Sequence, residues 1–331
     1  MHIDIFNNDA FGVVSLTKAI TSVAHQPQRL AELGLFSEEG ISTTSVSIES
    51  VGSTINLVPA AQRGAPGRPM TNDKRTLRSM STIHLPQRAT IVADEVQNLR
   101  SFGAESELET AQGLMNRKLT KMRRDIDTTI EYQRMGAIKG QILDANGVTV
   151  LEDLYSAFGV TQTTHNMVLG NTATKVQTRV LEAKRKMELA LGGLMYVDSR
   201  ALCSESFFDA FTSHPAVEKA FDRWMSGEFL RSDNRAGFFF GGVFWEEYRG
   251  TVNGVPFIEA GSAYLIPGGV PDLFATYFAP ADYMETVNTA GLPYYAKQEA
   301  MPFNKGIMVE AQSNPLSLCT RPAVPVRLLA A

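Results

Sequence analysis

Five histidines and two cysteines are the side chains of this sequence best suited to metal binding or nucleophilic chemistry. His2, His25, His84, His165 and His214 are widely scattered, and no two approach the spacing of a metal-ligand pair. Cys203 and Cys319 are as isolated, which reads as two reduced, partly buried thiols. An acidic trio, Glu105, Glu107 and Glu109, could in principle supply general acid–base chemistry. It also lies where a helix should begin, and a helix N-terminus attracts negative charge without any catalytic need. Asp144-Ala145-Asn146-Gly147 looks like the start of a calcium loop, but its glycine comes too early for an EF-hand. There is no glycine-rich phosphate loop, no nucleophile elbow and no His-Glu-x-x-His string. The aromatic residues Phe238, Phe239, Phe240, Phe244, Trp245 and Tyr248 fit a β-rich core better than a ligand pocket. The expectation is a protein without catalytic residues, cofactor or metal.

The elements around these residues are unusual. Val13, Val14, Leu16, Ile20 and Val23 have loose helical spacing that Gln26-Pro27 breaks. Leu30, Leu33, Leu35 and Phe36 follow. This segment reads equally as an arm that docks elsewhere and as a helix on its own domain. Residues 41–93 alternate polar and apolar at Ser45-Val46-Ser47-Ile48 and Thr54-Ile55-Asn56-Leu57, and strand character returns at Thr82–Leu85 and Thr90–Val92. Between them lies a Gly/Pro-rich, basic stretch with Arg63, Arg68, Lys74, Arg75 and Arg78. The pattern predicts a long two-stranded hairpin, which is marginal in water by itself and needs a surface to lie on. The five basic residues read either as a solvated loop or as a charged contact with an acidic surface of another subunit. Together with Glu105, Glu107 and Glu109 they are the candidate inter-subunit contacts.

Ser106-x-x-Glu109 is a capping-box signature. Leu108, Ala111, Met115, Leu119, Met122, Ile126 and Ile130 then recur at steps of three and four, and Gly136 and Gly140 mark the exit. A helix from about 107 to 139 would be roughly 50 Å long. Asn146-Gly147 between apolar runs predicts a tight hairpin directly afterwards. Residues 166–300 read as a separate α/β unit, with helices over Val176–Leu191, Ser204–Thr212 and Pro215–Trp224. Strands follow around Phe238–Phe240, Val243–Trp245 and Thr251–Ile258. Gly306–Val309 and Pro325–Leu329 supply closing strands.

The chain has 331 residues, 44% of them hydrophobic, which suffices for two compact cores or one core with extended arms. A net charge of −4 lacks the basic footprint of a nucleic-acid binder. The N-terminus shows no signal-peptide pattern and no run approaches the length of a membrane span. A cytoplasm-like compartment, or a particle assembled in one, is expected.

Several strings spread over the whole chain carry a resemblance. They are Leu57-Val58-Pro59, Arg63-Gly64-Ala65-Pro66-Gly67, Asp127-Thr128-Thr129-Ile130-Glu131, Gly136–Asp144 with Gly147, and Phe158-Gly159. Gly254-Val255-Pro256-Phe257, Phe278-Ala279-Pro280, Gly291-Leu292-Pro293-Tyr294-Tyr295 and Gln312–Leu316 complete the set. In this order they resemble the lambda-like phage major capsid protein E family, whose fold is the Hong Kong 97 capsid fold. The resemblance implies an α+β chain with an N-terminal arm at 1–41 and an extended β-hairpin loop at 42–93. It implies a peripheral domain at 94–165 and 301–331 containing the spine helix, and an axial α/β domain at 166–300. It further implies the major capsid protein of a tailed bacteriophage, in pentamers and hexamers that close an icosahedral shell around double-stranded DNA in the host cytoplasm. Portal, scaffolding protein, head-maturation protease and a small decoration protein are the partners it brings. The chain opens on arm-like sequence without a long charged pre-domain, so the scaffolding protein is expected to be separate. Some relatives crosslink through a loop lysine. Lys74 has a comparable place, but its arginine-rich surroundings read as salt-bridge material. A nanocompartment shell of the same fold, packaging an enzyme, is the alternative. A soluble enzyme centred on 166–300 would leave the long hairpin without a purpose.

Overall fold

The computed structural model describes residues 12–23, 28–51, 75–97, 107–224, 234–252 and 254–331. The chain divides into two compact units. One comprises Met1–Val46, Met80–Glu131 and Ala275–Ser317, and the other Ser47–Ser79, Tyr132–Phe274 and Leu318–Ala331.

In the first unit Gly306–Ser313 lies between Tyr295–Ala300 and Leu85–Val92 in a three-stranded antiparallel sheet. The spine helix, Glu107–Lys139, supplies the other half of the core. Met115, Leu119, Met122, Ile126 and Ile130 are buried with Ile91, Ile307, Val309 and Ala311, so the predicted stripe faces the sheet. The side chains of Leu108 and Ala111 lie outside the described residues. The helix Val13–Ser22 adds Leu16 and Ile20 to the same core. Of the two readings of the opening segment, the described part follows the second, a helix packed on its own unit. A parallel strand, Ser37–Gly40, pairs with Ala275–Phe278. Its side chains are all exposed, so no apolar alternation announces it in the sequence.

The predicted return strand Thr90–Val92 does not close the hairpin, because it is part of Leu85–Val92, which pairs with Gly306–Ser313 in the first unit. Ser45–Val51 pairs with Arg75–Ser81 in a two-stranded sheet, so Arg75 and Arg78 stand in a strand. Thr54–Leu57 lies outside the described residues.

In the second unit six strands form a mixed sheet in the order Thr163–Asn166, Val326–Leu329, Ser262–Gly268, Asp198–Cys203, Val243–Glu247, Phe238–Phe240. The helices Val176–Leu191 and Glu205–Thr212 pack on it. Phe211 stacks on Trp245 with centroids 4.0 Å apart, and Phe207 and Phe238 surround the pair. Phe238, Trp245 and Tyr248 are therefore core, Phe240 and Phe244 are half-buried, and Phe239 stays exposed. The unit boundaries differ from those read in the sequence. Val326–Leu329, expected with the peripheral segments, is hydrogen-bonded inside the six-stranded sheet, whereas Tyr295–Ala300, expected in the axial domain, pairs with Gly306–Ser313 in the first unit. Sequence order cannot show which strand closes which sheet, because the pairing partners are distant.

The spine ends as its glycines require. Gly140 has φ +84, a conformation that favours glycine, and the Tyr155 ring occupies the space a Cβ would need. The Tyr155 hydroxyl donates to the Lys139 carbonyl at 2.9 Å, satisfying one of the helix's last acceptors. The hairpin Gln141–Leu143/Val150–Asp153 follows, as expected, but its connection is longer than a two-residue turn. Asn146 organises it, accepting the Val148 and Thr149 amides on its side-chain oxygen at 2.9 Å each.

Candidate functional site

Of the candidate contact residues, Arg63, Arg68, Lys74 and Glu105 lie outside the described residues. Arg75 opens its strand, and Glu107 and Glu109 sit in the first turn of the spine; their side chains are likewise outside the description. Arg78 is described. Its guanidinium stands 5.3 Å from the centroid of the Phe158 ring, and its buried Nη1 has no hydrogen-bond partner among the described residues.

A second set of charges escaped the sequence reading. Arg123, Asp127 and Glu131 occupy steps of four along the spine, and all three are buried. A charged row on a helix ordinarily marks its solvated face, so this spacing alone carries no signal of burial. Arg123 Nη1 donates to the Ile20 carbonyl at 2.7 Å and to the Thr21 carbonyl, the last acceptors of the helix Val13–Ser22. A cation at a helix C-terminus satisfies those carbonyls and the helix dipole together. Asp127 Oδ2 lies 3.5 Å from Arg123 Nε, and Asp127 Oδ1 accepts the Tyr294 hydroxyl. Burial, and then the Asp127 charge, push the Tyr294 hydroxyl well above the usual tyrosine range. Eight residues beyond Arg123, Glu131 Oε1 accepts the Leu30 amide at 2.7 Å, at the start of the helix Arg29–Glu32. One helix thus fastens the opening segment at two points, with opposite charges.

In the second unit Lys139 pairs with Glu259 and donates to the Phe257 carbonyl at 3.3 Å. Burial alone would raise the Glu259 carboxyl. The Lys139 hydrogen bond and charge outweigh it and hold the group below its ordinary value. Tyr264 donates to the same carboxylate at 3.1 Å.

The residues with chemical potential are structurally committed. His84 Nδ1 bonds Asn314 Oδ1 at 2.7 Å. His214 Nδ1 accepts the Ala216 amide at 3.1 Å, which leaves Nε2 as donor to the Asn171 carbonyl at 3.1 Å. His165 is buried, and its desolvation lowers its pKa. His2 and His25 lie outside the described residues. Cys203 and Cys319 are free, buried thiols whose pKa values burial raises. Among the described residues no three His, Cys, Asp or Glu side chains gather as metal ligands would. A cleft of about 420 Å³ opens beside Leu169, Ala210, His214 and Pro215, but its histidine is already bound on both nitrogens.

A family model described as phage major capsid protein E matches residues 12–330. The chain belongs to this family. The major capsid protein of Pseudomonas phage KPP10 is 29% identical over 96% of this chain and 96% of its own length. That of Salmonella phage Felix O1 is 25% identical over 96% and 95%. The crystal structure of the putative capsid protein of a prophage of E. coli CFT073 superposes with a TM-score of 0.58 at 13% identity, covering 97% of this chain and 99% of that one. This capsid protein has the Hong Kong 97 capsid fold, and Glu107–Lys139 is its long spine helix. Its place is the capsid of the virion, and its association is with itself. Three of the strings that carried the resemblance fall on internal fastenings. Asp127–Glu131 holds two of the buried charges, Gly291–Tyr295 brings their partner Tyr294, and Gly136–Asp144 forms the end of the spine.

Proposed function

We propose that this capsid protein is a purely structural subunit whose pentamers and hexamers close an icosahedral shell around double-stranded DNA. The single observation that carries the reading is the family match over residues 12–330. The commitment of His84, His214 and Arg123 to internal bonds, and the burial of both thiols, agree with a subunit that performs no catalysis. Residues 1–41 act as arm, anchored by the helix Val13–Ser22 on its own unit, and 42–93 as the extended loop over a neighbour, apart from Leu85–Val92, which pairs in the first unit's sheet. The peripheral domain comprises 94–165 and 301–331, and the axial domain is built on 166–300 with Val326–Leu329 closing its sheet. Arg63, Arg68, Lys74, Arg75 and Arg78 meet an acidic surface of the next subunit, for which Glu105, Glu107 and Glu109 are the candidates. Assembly takes place in the host cytoplasm with a scaffolding protein, a portal and a maturation protease, and a small decoration protein is a further candidate partner. The DNA is enclosed without sequence-specific binding, and a net charge of −4 gives the chain no overall attraction for its phosphates.

The test is negative-stain electron microscopy and size-exclusion chromatography of the chain coexpressed with its genomic neighbours. Closed polyhedral shells, or free pentamers and hexamers, are expected. A monodisperse monomer or dimer under every condition would overturn the reading. Shells that package an enzyme in place of DNA would instead identify a nanocompartment.

A further inference from the structure

The three-stranded sheet of the first unit has two edges, finished differently. Along Tyr295–Ala300 the N-terminal helix covers the edge, and the Ala296 amide donates to Thr17 Oγ1 at 3.3 Å. Along Leu85–Val92, among the described residues, no strand pairs with the outer edge. The Ile83 amide donates to the Pro315 carbonyl at 2.9 Å and the Ala93 amide to the Lys305 carbonyl at 3.3 Å. Odd-numbered residues of this strand therefore turn their backbone groups inward, toward Gly306–Ser313. Backbone direction alternates along an antiparallel strand, so Arg88, Thr90 and Val92 turn theirs outward. The remaining even position is Pro86, which has no N–H to leave unpaired. Such an edge is a template for a further strand.

The hairpin strand Ser45–Val51 has the matching parity. The Thr82 amide donates to the Thr44 carbonyl at 3.0 Å, which turns even-numbered residues toward Arg75–Ser81. The Ser45 carbonyl faces the other way and is taken by Thr43 Oγ1 at 2.7 Å. Ser47 and Glu49 accordingly turn their backbone groups to the open side of a two-stranded sheet that is marginal by itself.

We propose that Ser45–Val51 of a second copy adds antiparallel to the outer edge of Leu85–Val92, with Ser47 opposite Thr90 and Glu49 opposite Arg88. The pairing rests on the self-association of the capsid protein and names its contact. Each strand carries one charge, Arg88 and Glu49, of opposite sign. Arg88 is 67% exposed and engages Glu310 through Nε, which leaves its terminal nitrogens available. The same register sets Val46 beside Ile91 and Ile48 beside Ala89, on the face where Ile91 and Ala89 join the apolar core. Apolar and polar faces of the two strands coincide, as strand addition requires.

Disulfide trapping tests it. Chains with Thr90→Cys and chains with Ser47→Cys are mixed, assembled and oxidised; the native cysteines are buried and do not compete. A crosslinked dimer is expected from the mixture and from neither variant alone. In parallel, Thr90→Pro removes an outward amide and should leave the melting temperature of the unassembled chain unchanged. It should lower the assembled fraction roughly tenfold, the equivalent of one lost hydrogen bond. Ala89→Pro, which removes an inward amide, should lower the melting temperature. Shells that form normally without the crosslink, or Thr90→Pro chains that assemble like the parent, would overturn the pairing and leave the capsid reading intact. A Thr90→Pro chain that melts as early as Ala89→Pro would show the amide already paired and overturn it too. A parent chain that never associates would overturn both.

Discussion

The Arg123 guanidinium lies 4.5 Å from the centroid of the Tyr294 ring, with Asp127 bonded to both side chains. The ring faces the cation while its hydroxyl reaches the cation's own counter-ion, so each of the three groups holds the other two in place. Arg123 also closes the helix Val13–Ser22, which makes this cluster the point where the opening segment is fixed to the spine.

Arg123→Ala should therefore be severe. It leaves the Asp127 carboxylate buried without its cation and two helix-end carbonyls without a donor. The expected loss is about 3–5 kcal/mol, read as a shift of the denaturant midpoint of the unassembled chain. Arg123→Lys should recover only part of it, because a point charge cannot serve the carbonyls, the carboxylate and the ring together. A variant as stable as the parent would show that the cluster is incidental.

Gly136→Ala reverses an ordinary rule. Alanine in place of glycine inside a helix usually stabilises by about 1 kcal/mol. Here the added Cβ would lie 2.8 Å from the Gln141 carbonyl oxygen and 3.1 Å from the Ile142 Cα, both backbone atoms that cannot rotate away. Destabilisation of about 1–3 kcal/mol is expected from overpacking, measured by thermal unfolding. Gly113→Ala, with open space at the same position, is the comparison that should behave ordinarily.

Alkaline pH should unfold the chain through its tyrosines. Burial is the first cause of the raised pKa at Tyr155 and Tyr283, each pushed up to about 12, and at Tyr264 and Tyr294, which stand higher still. These groups keep their protons in the folded chain at a pH where the unfolded chain has lost them. Their contribution is fully present below the ordinary value of 10 and is lost as pH rises through the folded values. Tyrosinate absorbance should lag behind that of a denatured sample and then rise together with unfolding. Early, non-cooperative titration of all nine tyrosines would contradict the buried placements.

Both thiols should resist labelling. Cys203 and Cys319 are buried, and burial raises the Cys319 thiol to about 12 and Cys203 well above its ordinary value. A thiolate-specific reagent should leave the native chain untouched and modify both cysteines in denaturant. Rapid native labelling would place at least one thiol at the surface.

Deleting residues 60–78 addresses the extended loop. The six-stranded sheet should remain folded by circular dichroism and proteolysis while closed shells disappear. Normal particles from the deletion would remove the loop, and its basic residues, from the inter-subunit contact.

What the sequence by itself determined is what local spacing can encode. The steps of three and four from Met115 to Ile130 specify a helix and the face it buries, because helical geometry alone brings those residues into line. Gly140 and Gly192 end their helices through a backbone conformation that needs glycine. The order of strings along the chain was enough for the family. Tertiary structure decided what depends on partners far apart in the chain. Asp127 and Tyr294 are separated by 167 positions, so nothing local distinguishes a buried Arg123–Asp127–Glu131 row from a solvated one. Ser37–Gly40 becomes a strand only because Ala275–Phe278 offers it a ladder. Val326–Leu329 leaves the segments beside it for the six-stranded sheet because an apolar strand is stabilised by the edge that pairs with it, wherever the chain places that edge.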